Sequence, residues 1–211
     1  MGCCDNPLVK EQITNINNHP PEVSGKGNQD QNDADDNTEN NKLIINNKPS
    51  ISRPRTNAED FDSDTHTKLI LKMHNDLREK HNSPPLSNNE ELNTIASEYA
   101  ESLVNNNGKY IYSPKIYKGQ LVGENIVISE SKRPEEIFNS LVKGQKIYDY
   151  DENKFSKITG NFSQIIWKET TDIGIGFWHD KNNKKYYSVI LYYPIGNCLG
   201  EFKENIFKEK D

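Results

Sequence analysis

The chain has 211 residues, a formal net charge of −6 and a sequence pI near 5.5. This acidic balance, together with the lack of any long Lys or Arg run, excludes a broad phosphate-binding surface, so we expect no nucleic-acid partner. No apolar stretch reaches the length of a membrane-spanning helix, and the N-terminal residues do not have the basic and apolar regions of a secretory signal.

Composition divides the chain into two parts. Residues 5–64 are rich in Asn, Asp, Glu, Pro, Lys and Gln and contain a single aromatic residue, Phe61. Such a segment buries too little apolar surface to offset the entropy lost on folding. We therefore expect residues 1–65 to form a disordered acidic and Asn-rich arm, and residues 66–207 to form one globular domain.

The N-terminal sequence MGCC is typical of a lipidated protein. Removal of the initiator Met would expose Gly2 for N-myristoylation, and Cys3 and Cys4 lie where palmitate is added. Position 6 is Asn6 instead of Ser or Thr, and Pro7 follows, so the match to the motif is incomplete. Since two acyl chains anchor a protein stably where one binds only marginally, we expect a membrane anchor with the arm as its tether. An unmodified N-terminus is the alternative.

Hydrophobic spacing predicts the helices of the domain. A helical period extends over residues 67–81, with Asp64 or Thr65 as its cap, and over residues 89–104. A third helix is predicted from Pro134, a favourable first-turn residue, to residue 148, with Ile147 facing inward. A short buried helix or turn is predicted at 162–167.

Strands alternate with these helices. Residues 124–129, 172–179 and 185–193 have the composition of strands, and residues 109–122 are predicted to form a loop. Helices on both sides of a small antiparallel sheet predict an α+β fold, a three-layer α-β-α sandwich.

Five segments of the domain, in order, resemble the CAP superfamily (the SCP domain), which includes cysteine-rich secretory proteins, venom antigens and plant pathogenesis-related proteins. They are HNDLREKHNSPPL at 74–86, GEN at 123–125, TGNFSQIIWKET at 159–170, IGIG with YYPIGN up to 197, and FKENI at 202–206. Cys198 is the only cysteine of the domain, so an internal disulfide is excluded. Together with the MGCC start, this favours the intracellular, Golgi-associated branch of the family over the secreted ones.

The resemblance also identifies a candidate site. Many CAP proteins hold a divalent metal, usually zinc, with two His and two acidic residues around a central cleft. Here the His positions are matched by Tyr112 and Asn161, and the acidic positions by Glu124 and Gly144. Because only Glu124 is retained, we predict no metal, no cofactor and no catalytic residue, and we interpret Glu124 as a structural carboxylate.

Two histidines of the first helix need a separate interpretation. His74 and His81 are seven residues apart, about 10 Å along a helix, which is too far for easy binding of one metal ion. We interpret His74 as a packed structural residue and His81 as a helix-end residue that the helix dipole favours.

The resemblance implies a non-enzymatic protein on the cytosolic face of the Golgi or other endomembranes, which acts in lipid or protein interaction and self-associates. The partners expected are the membrane through the acyl groups, anionic lipid and a second copy of the chain. Two sets of lysines are candidates for lipid contact: Lys109, Lys115 and Lys118, or Lys181, Lys184 and Lys185. The alternatives are a degenerate CAP-type hydrolase or protease and a secreted CAP-type effector.

Overall fold

The computed structural model describes residues 62–105 and 115–210. The predicted arm up to residue 61, the lipidation residues Gly2, Cys3 and Cys4, and the site residue Tyr112 lie outside the described residues. None of the helices in the described ranges is long and apolar enough to cross a bilayer.

Helices make up the outer layers of the domain. They are α1 (Ser63–Lys80), α2 (Glu90–Asn105), α3 (Pro134–Leu141), α4 (Gly160–Ile166) and α5 (Phe202–Asn205), with a 3-10 helix (Val142–Ile147) directly after α3.

A four-stranded sheet forms the middle layer. Its order is β1 (Ser87–Asn88), β5 (Asp172–Asp180), β6 (Lys185–Tyr193) and β4 (Gly123–Ser129). The β4, β6 and β5 strands are antiparallel as predicted, whereas the two-residue β1 pairs with β5 in parallel. The pairing of β5 with β6 joins Asp172 to Tyr193 and Asp180 to Lys185, so the whole hairpin is in register.

Each face of the sheet buries its own apolar cluster. On one face, α2 packs against β5 and β6 through Leu92, Ala96 and Leu103, all at most 2 % exposed. On the other face, α1, α3 and α4 cover a larger cluster that includes Ile165 and Trp167. The predicted α-β-α sandwich is therefore confirmed.

Two glycines of β5 set the distance between α2 and the sheet. A Cβ atom at Gly174 would collide with Leu92, and one at Gly176 would collide with the backbone at Ala96 and Ser97. Only glycine permits this approach, because any side chain here would push the helix from the sheet.

The first helix begins earlier than the sequence predicts. Asp62, and not Asp64 or Thr65, occupies the cap position, and its carboxylate accepts a hydrogen bond from the backbone N–H of Thr65 at 3.2 Å. The run of acidic and hydroxyl residues before α1 offers several equivalent caps. The predicted start was therefore wrong by one helical turn.

The third predicted helix changes its form in the middle. The α-helix ends at Leu141 and continues as the 3-10 helix, which has 3.0 residues per turn instead of 3.6. The change shifts the phase of the later side chains, so Ile147, predicted to face inward, is 62 % exposed. That part of the prediction was wrong.

Part of the predicted 109–122 loop is a small hairpin, with β2 (Ile116–Tyr117) paired to β3 (Gln120–Leu121). Its two turn residues, Lys118 and Gly119, both have positive φ angles of 50° and 74°. Positive φ at both positions is the geometry of a tight hairpin turn. The strands are too short for a period of two to reveal them.

Candidate functional site

Gly144 lies in the 3-10 helix and is buried against the start of α4. A Cβ atom at this position would come within 2.7 Å of the Cα atom of Thr159 and within 2.8 Å of the carbonyl oxygen of Ile158. Both are backbone atoms, which cannot rotate away as a flexible side chain would. The space that an acidic side chain would need at position 144 is therefore occupied by the chain itself.

Asn161 follows in the first turn of α4, and its side chain is exposed. Its carbonyl oxygen accepts a hydrogen bond of 3.1 Å from the side-chain amide of Asn125, in β4. Since Gly144 touches Thr159, two residues before Asn161, the structure brings the two substituted positions and the backbone of β4 to one place.

Glu124 is half-buried at the second position of β4. Adjacent side chains of a strand point to opposite faces, so Glu124 points away from the α4 side that Asn125 contacts. Burial lowers the pKa of the Lys115 ammonium, and the negative charge of Glu124 opposes this shift. The Lys115 ammonium also lies 4.0 Å from the ring centre of Tyr99, in α2. The charge of Glu124 therefore acts on a partly buried cation, and its role as a structural carboxylate stays a prediction.

These residues do not fit a zinc ion. Gly144 has no donor atom and no room for one, and the Asn161 amide is a weak ligand in place of imidazole. Glu124 points to the face of the sheet opposite α4, which contains Asn161. Within residues 62–105 and 115–210, no three His, Cys, Asp or Glu side chains form a group that could hold a metal.

His74 begins a buried chain of hydrogen bonds across the sandwich. Its Nδ1 atom lies 2.8 Å from the carbonyl oxygen of Ile70, which can only accept, so Nδ1 carries the proton. Nε2 then accepts from the hydroxyl of Tyr192 at 2.9 Å, and that hydroxyl accepts from Asn125 at 3.0 Å. The chain links α1, β6, β4 and, through Asn125, the start of α4.

Burial fixes the protonation states in this chain. His74 is 0 % exposed, and burial lowers its pKa to about 4. The hydrogen bond to Ile70 opposes this shift, and the positive charge of Arg78 adds to it. Burial also raises the pKa of Tyr192 far above its usual value. Both groups are neutral near pH 7, and the interpretation of His74 as a packed structural residue is confirmed.

Arg78 is the second buried polar anchor of α1, at 0 % exposure. Burial lowers the pKa of its guanidinium to about 10, so the group is charged at neutral pH. Backbone carbonyls near the end of α4 supply most of its acceptors, in line with the preference of cations for helix C-termini. The acceptors are the carbonyl oxygens of Pro84 (2.7 Å), Ile165, Trp167 and Thr170 (2.8 Å each) and Lys168 (3.4 Å).

Gln164 fills the space between two glycines of the family motifs. Its Oε1 atom accepts a hydrogen bond of 3.0 Å from the backbone N–H of Gly196, and its amide donates to the hydroxyl of Thr170 at 3.3 Å. A Cβ atom at Gly123 would collide with the Gln164 amide, and one at Gly196 would come within 2.7 Å of it. The glycines of GEN and YYPIGN therefore leave the space that the glutamine of TGNFSQIIW occupies.

The amide of Asn75 makes two reciprocal hydrogen bonds with the backbone of Leu86, at 2.7 and 3.1 Å. Asn197 accepts from the hydroxyl of Ser163 at 2.6 Å and donates to the carbonyl of Gly160 at 2.9 Å. Asn75 joins the two ends of the first motif, and Asn197 joins the motif at 192–197 to the one at 159–170. The residues that carry the resemblance thus hold the layers of the sandwich together.

His81 has a more extensive role than its helix-end position predicted. It caps α1 but is 0 % exposed, because the C-terminal segment lies over it and the carbonyl oxygen of Phe207 contacts its Nδ1 atom at 2.7 Å. Its ring also packs on Tyr150 and Phe162. The sequence gives no local signal for a contact that joins residues so far apart.

Sequence reasoning did not single out Asn125, Gln164 or Tyr192. All three are buried polar side chains inside the motifs GEN, TGNFSQIIW and YYPIGN. A polar residue at an inward position between apolar neighbours was the available signal.

Comparisons with known proteins agree with this architecture. Residues 71–192 match the model of the cysteine-rich secretory protein family, CAP. The human Golgi-associated plant pathogenesis-related protein 1 is 32 % identical over 144 residues, which are 67 % of this chain and 92 % of the relative. Protein PRY2 of Saccharomyces cerevisiae is 28 % identical over 140 residues, which are 65 % of this chain but only 40 % of the relative.

Solved structures show the same fold at low identity. The structure of BmVAL-1 superposes with a TM-score of 0.55 at 19 % identity and covers 69 % of this chain and 83 % of the other. The crystal structure of NaASP2 with Zn2+ superposes with a TM-score of 0.53 at 19 % identity and covers 73 % and 90 %. From its sequence match and its fold, the chain belongs to the CAP family.

Proposed function

We propose that this CAP-domain chain is a non-enzymatic interaction module, anchored through N-terminal acyl groups to the cytosolic face of the Golgi or another endomembrane. The non-enzymatic part rests on how the residues of the family motifs are employed in the structure. His74, Arg78 and Gln164 make hydrogen bonds within the domain. Gly144 and Asn161 occupy positions where a metal-binding cleft would need ligands. These hydrogen bonds make the domain a rigid scaffold, which suits a role in binding more than in catalysis.

The location rests on two further observations. The human relative with 32 % identity is Golgi-associated by name, and it is covered over 92 % of its length. The sequence MGCC provides acceptors for myristate at Gly2 and palmitate at Cys3 and Cys4.

The anchor is tested by producing the full chain in eukaryotic cells, with intact-mass analysis of the N-terminal peptide and membrane fractionation. We expect mass shifts of myristate and palmitate on residues 2–4 and recovery with membranes. Gly2→Ala should abolish both. Cys3→Ser with Cys4→Ser should keep the myristate but move most of the protein to the soluble fraction, since one acyl chain binds only marginally.

Gly25→Ala, also in the arm, is the matched control and should fractionate like the wild type. An unmodified N-terminal peptide in a soluble protein would contradict the anchor and, with it, the proposed location.

We further infer that the turn between β5 and β6 is the part of the domain that meets anionic lipid headgroups. Lys181, Lys184 and Lys185 are all exposed there, and the described residues include no ion pair for them. The other candidate set is partly engaged, because Lys115 lies over Tyr99 and Lys118 lies 4.9 Å from the ring centre of Tyr117. Each lysine near an anionic surface contributes about 1 kcal/mol.

A flotation assay of the full, unacylated chain on liposomes with and without anionic lipid tests this contact. Replacing the three turn lysines by alanine should lower retention on anionic liposomes by roughly 100-fold in apparent affinity. The control removes the same charge from Lys72, Lys80 and Lys154, which are ion-paired on the surface. Equal retention of the two triple variants would contradict a role for the turn.

A further inference from the structure

A surface beside Gly144 combines exposed apolar side chains with unpaired lysines. Ile147 is 62 % exposed, Phe155 is 47 % exposed and Ile158 is 73 % exposed, although large apolar side chains are usually buried. These three residues account for a large part of the exposed bulky apolar side chains in the described ranges. A concentration of this kind marks an interaction surface more often than scattered single residues do.

Contacts of Gly144 and Gly160 place the three residues around one segment of the chain. The carbonyl of Ile158 faces Gly144, and in a 3-10 helix positions i and i+3 are eclipsed, so Ile147 lies in the same row as Gly144. The Phe155 ring lies against Gly160, two residues after Ile158. The apolar side chains therefore border one stretch of the chain, 158–160.

Three lysines accompany them. Lys143 and Lys146 form the adjacent row of the 3-10 helix, and Lys157 precedes Ile158; all three are exposed. No ion pair within residues 62–105 and 115–210 involves them. The basic–apolar patch is defined by these residues: Lys143, Lys146, Ile147, Phe155, Lys157 and Ile158.

The acidic residues of the neighbouring loop are already engaged. Glu152 pairs with Lys154 at 2.8 Å, and Asp151 pairs with Lys208 at 3.4 Å. Asp149 accepts hydrogen bonds from the backbone N–H groups of residues 151 and 152. Asp149 keeps its negative charge, but the three lysines of the patch outnumber it, so the surface has a net positive charge that an occupant of opposite charge would complement.

The arm of this chain contains a segment with that complementary character. Residues 30–39 carry five acidic side chains and no basic one, and Leu43-Ile44-Ile45 follow as an isolated apolar run. This order of acidic and apolar residues matches the lysines and apolar side chains of the basic–apolar patch. The five acidic residues are Asp30, Asp33, Asp35, Asp36 and Glu39.

The connection between the two is long enough. Ile45 is 17 residues from Asp62, where α1 is capped, and an extended chain of that length spans up to about 60 Å. A domain of this size has a radius of gyration of about 15 Å, so every part of its surface is within reach. A tether of this length also keeps the segment at an effective concentration of about a millimolar, which favours even a weak contact.

We propose that residues 30–45 of the arm dock on the basic–apolar patch of the same chain, with the acidic side chains at the lysines and Leu43–Ile45 against Ile147, Phe155 and Ile158. Docking covers the patch and shortens the free tether between the N-terminus and the domain. The proposal does not depend on acylation, so it stands or falls separately from the membrane anchor.

Site-specific photo-crosslinking in the full chain tests the docking. A benzophenone amino acid replaces Ile158, or Leu69 on α1, which is 40 % exposed, as the matched control. After irradiation, the mass of the product and the identity of the crosslinked peptide are determined. We expect a monomeric product from position 158 that joins the peptide containing residues 43–45, with at least fivefold lower yield from position 69.

Two changes should reduce that product. Ile44→Asp with Ile45→Asp should lower the yield by about tenfold, and raising the salt concentration from 0.05 to 0.5 M should lower it severalfold, because the contact is partly electrostatic. Crosslinked dimers would assign the patch to a second copy, and lipid adducts in the presence of vesicles would assign it to a membrane. Either outcome, or the lack of any arm product, would overturn the proposal.

Discussion

At the scale of single residues, buried polar side chains explain most of the family resemblance. Among the residues that the structure describes, only backbone carbonyls accept hydrogen bonds from Arg78, and no carboxylate does. A planar guanidinium with five donors can reach this set of acceptors, whereas an ammonium presents three donors from one point. The choice of arginine is therefore a consequence of geometry and not of charge alone.

Arg78→Lys should lower the free energy of unfolding by about 3 kcal/mol, because carbonyls at the end of α4 lose their donors while a buried charge remains. Urea denaturation of the full chain measures this change. Arg133→Lys, whose side chain is 68 % exposed and paired with Glu136, is the control and should change stability by less than about 0.5 kcal/mol. Equal stabilities of the two variants would show that the Arg78 contacts contribute little.

His74 gives the domain a pH dependence with a definite sign. Its pKa is lowered to about 4 in the folded chain, compared with 6.5 when unfolded, so the unfolded state binds the extra proton first as the pH falls. The contribution of His74 to the free energy of unfolding is fully present above pH 6.5 and decreases as the pH falls from 6.5 to about 4. The loss should be about 3 kcal/mol at most.

The measurement compares unfolding free energies of the wild type and His74→Gln at pH 7 and pH 4.5. The wild type should lose more stability than the variant over this interval, since carboxylates titrate alike in both. His66→Gln, which changes a half-buried histidine on the same helix, serves as the control. Parallel pH profiles for the wild type and His74→Gln would contradict the buried neutral histidine.

At the scale of elements, the contact between the 3-10 helix and α4 closes the position where an acidic ligand would stand. Gly144→Ala should lower the free energy of unfolding by about 1–3 kcal/mol, because the new methyl group meets the backbone of Thr159. Lys143→Ala, one residue earlier and exposed, should be nearly neutral. Thermal unfolding of the two variants decides the matter, and a fully stable Gly144→Ala would mean that the contact can open.

Periodicity predicted the elements whose partners repeat along the chain. Helix α2 and the β5–β6 hairpin are close to their predicted bounds, and α1 differs mainly at its start, because the helices bury one regular face and the strands are continuous apolar runs. It failed where the backbone changes form, as at Ile147, and where an element is too short to repeat, as in the hairpin at 116–121. These features depend on contacts between segments and not on a local pattern.

For the candidate site, the sequence predicted the substitutions but not their surroundings. That Gly144 and Asn161 replace ligands follows from motif alignment alone. The blocked space at Gly144 and the influence of Glu124 on Lys115 follow only from contacts between distant segments. Tyr112 lies outside the described residues, so its prediction stands as first made.

At the scale of the whole molecule, polar contacts join the helical layer of α1 and α4 to the sheet. The chain from His74 through Tyr192 to Asn125 crosses from α1 to the sheet and on to α4, and Gln164 joins α4 to the loop after β6. Networks of satisfied buried hydrogen bonds make a fold more rigid and more specific. The domain is thus suited to present fixed surfaces, such as the β5–β6 turn and the basic–apolar patch, to partners.

The most direct test of this role is the zinc stoichiometry of the purified full chain, measured by elemental analysis after equilibrium dialysis against micromolar zinc. Because Gly144 provides no ligand, Asn161 only a weak one, and Glu124 points to the other face of the sheet, we expect no bound zinc above the background of Glu124→Ala. One zinc per chain in the wild type that is lost in Glu124→Ala would show a functional metal centre and contradict a non-enzymatic binding module.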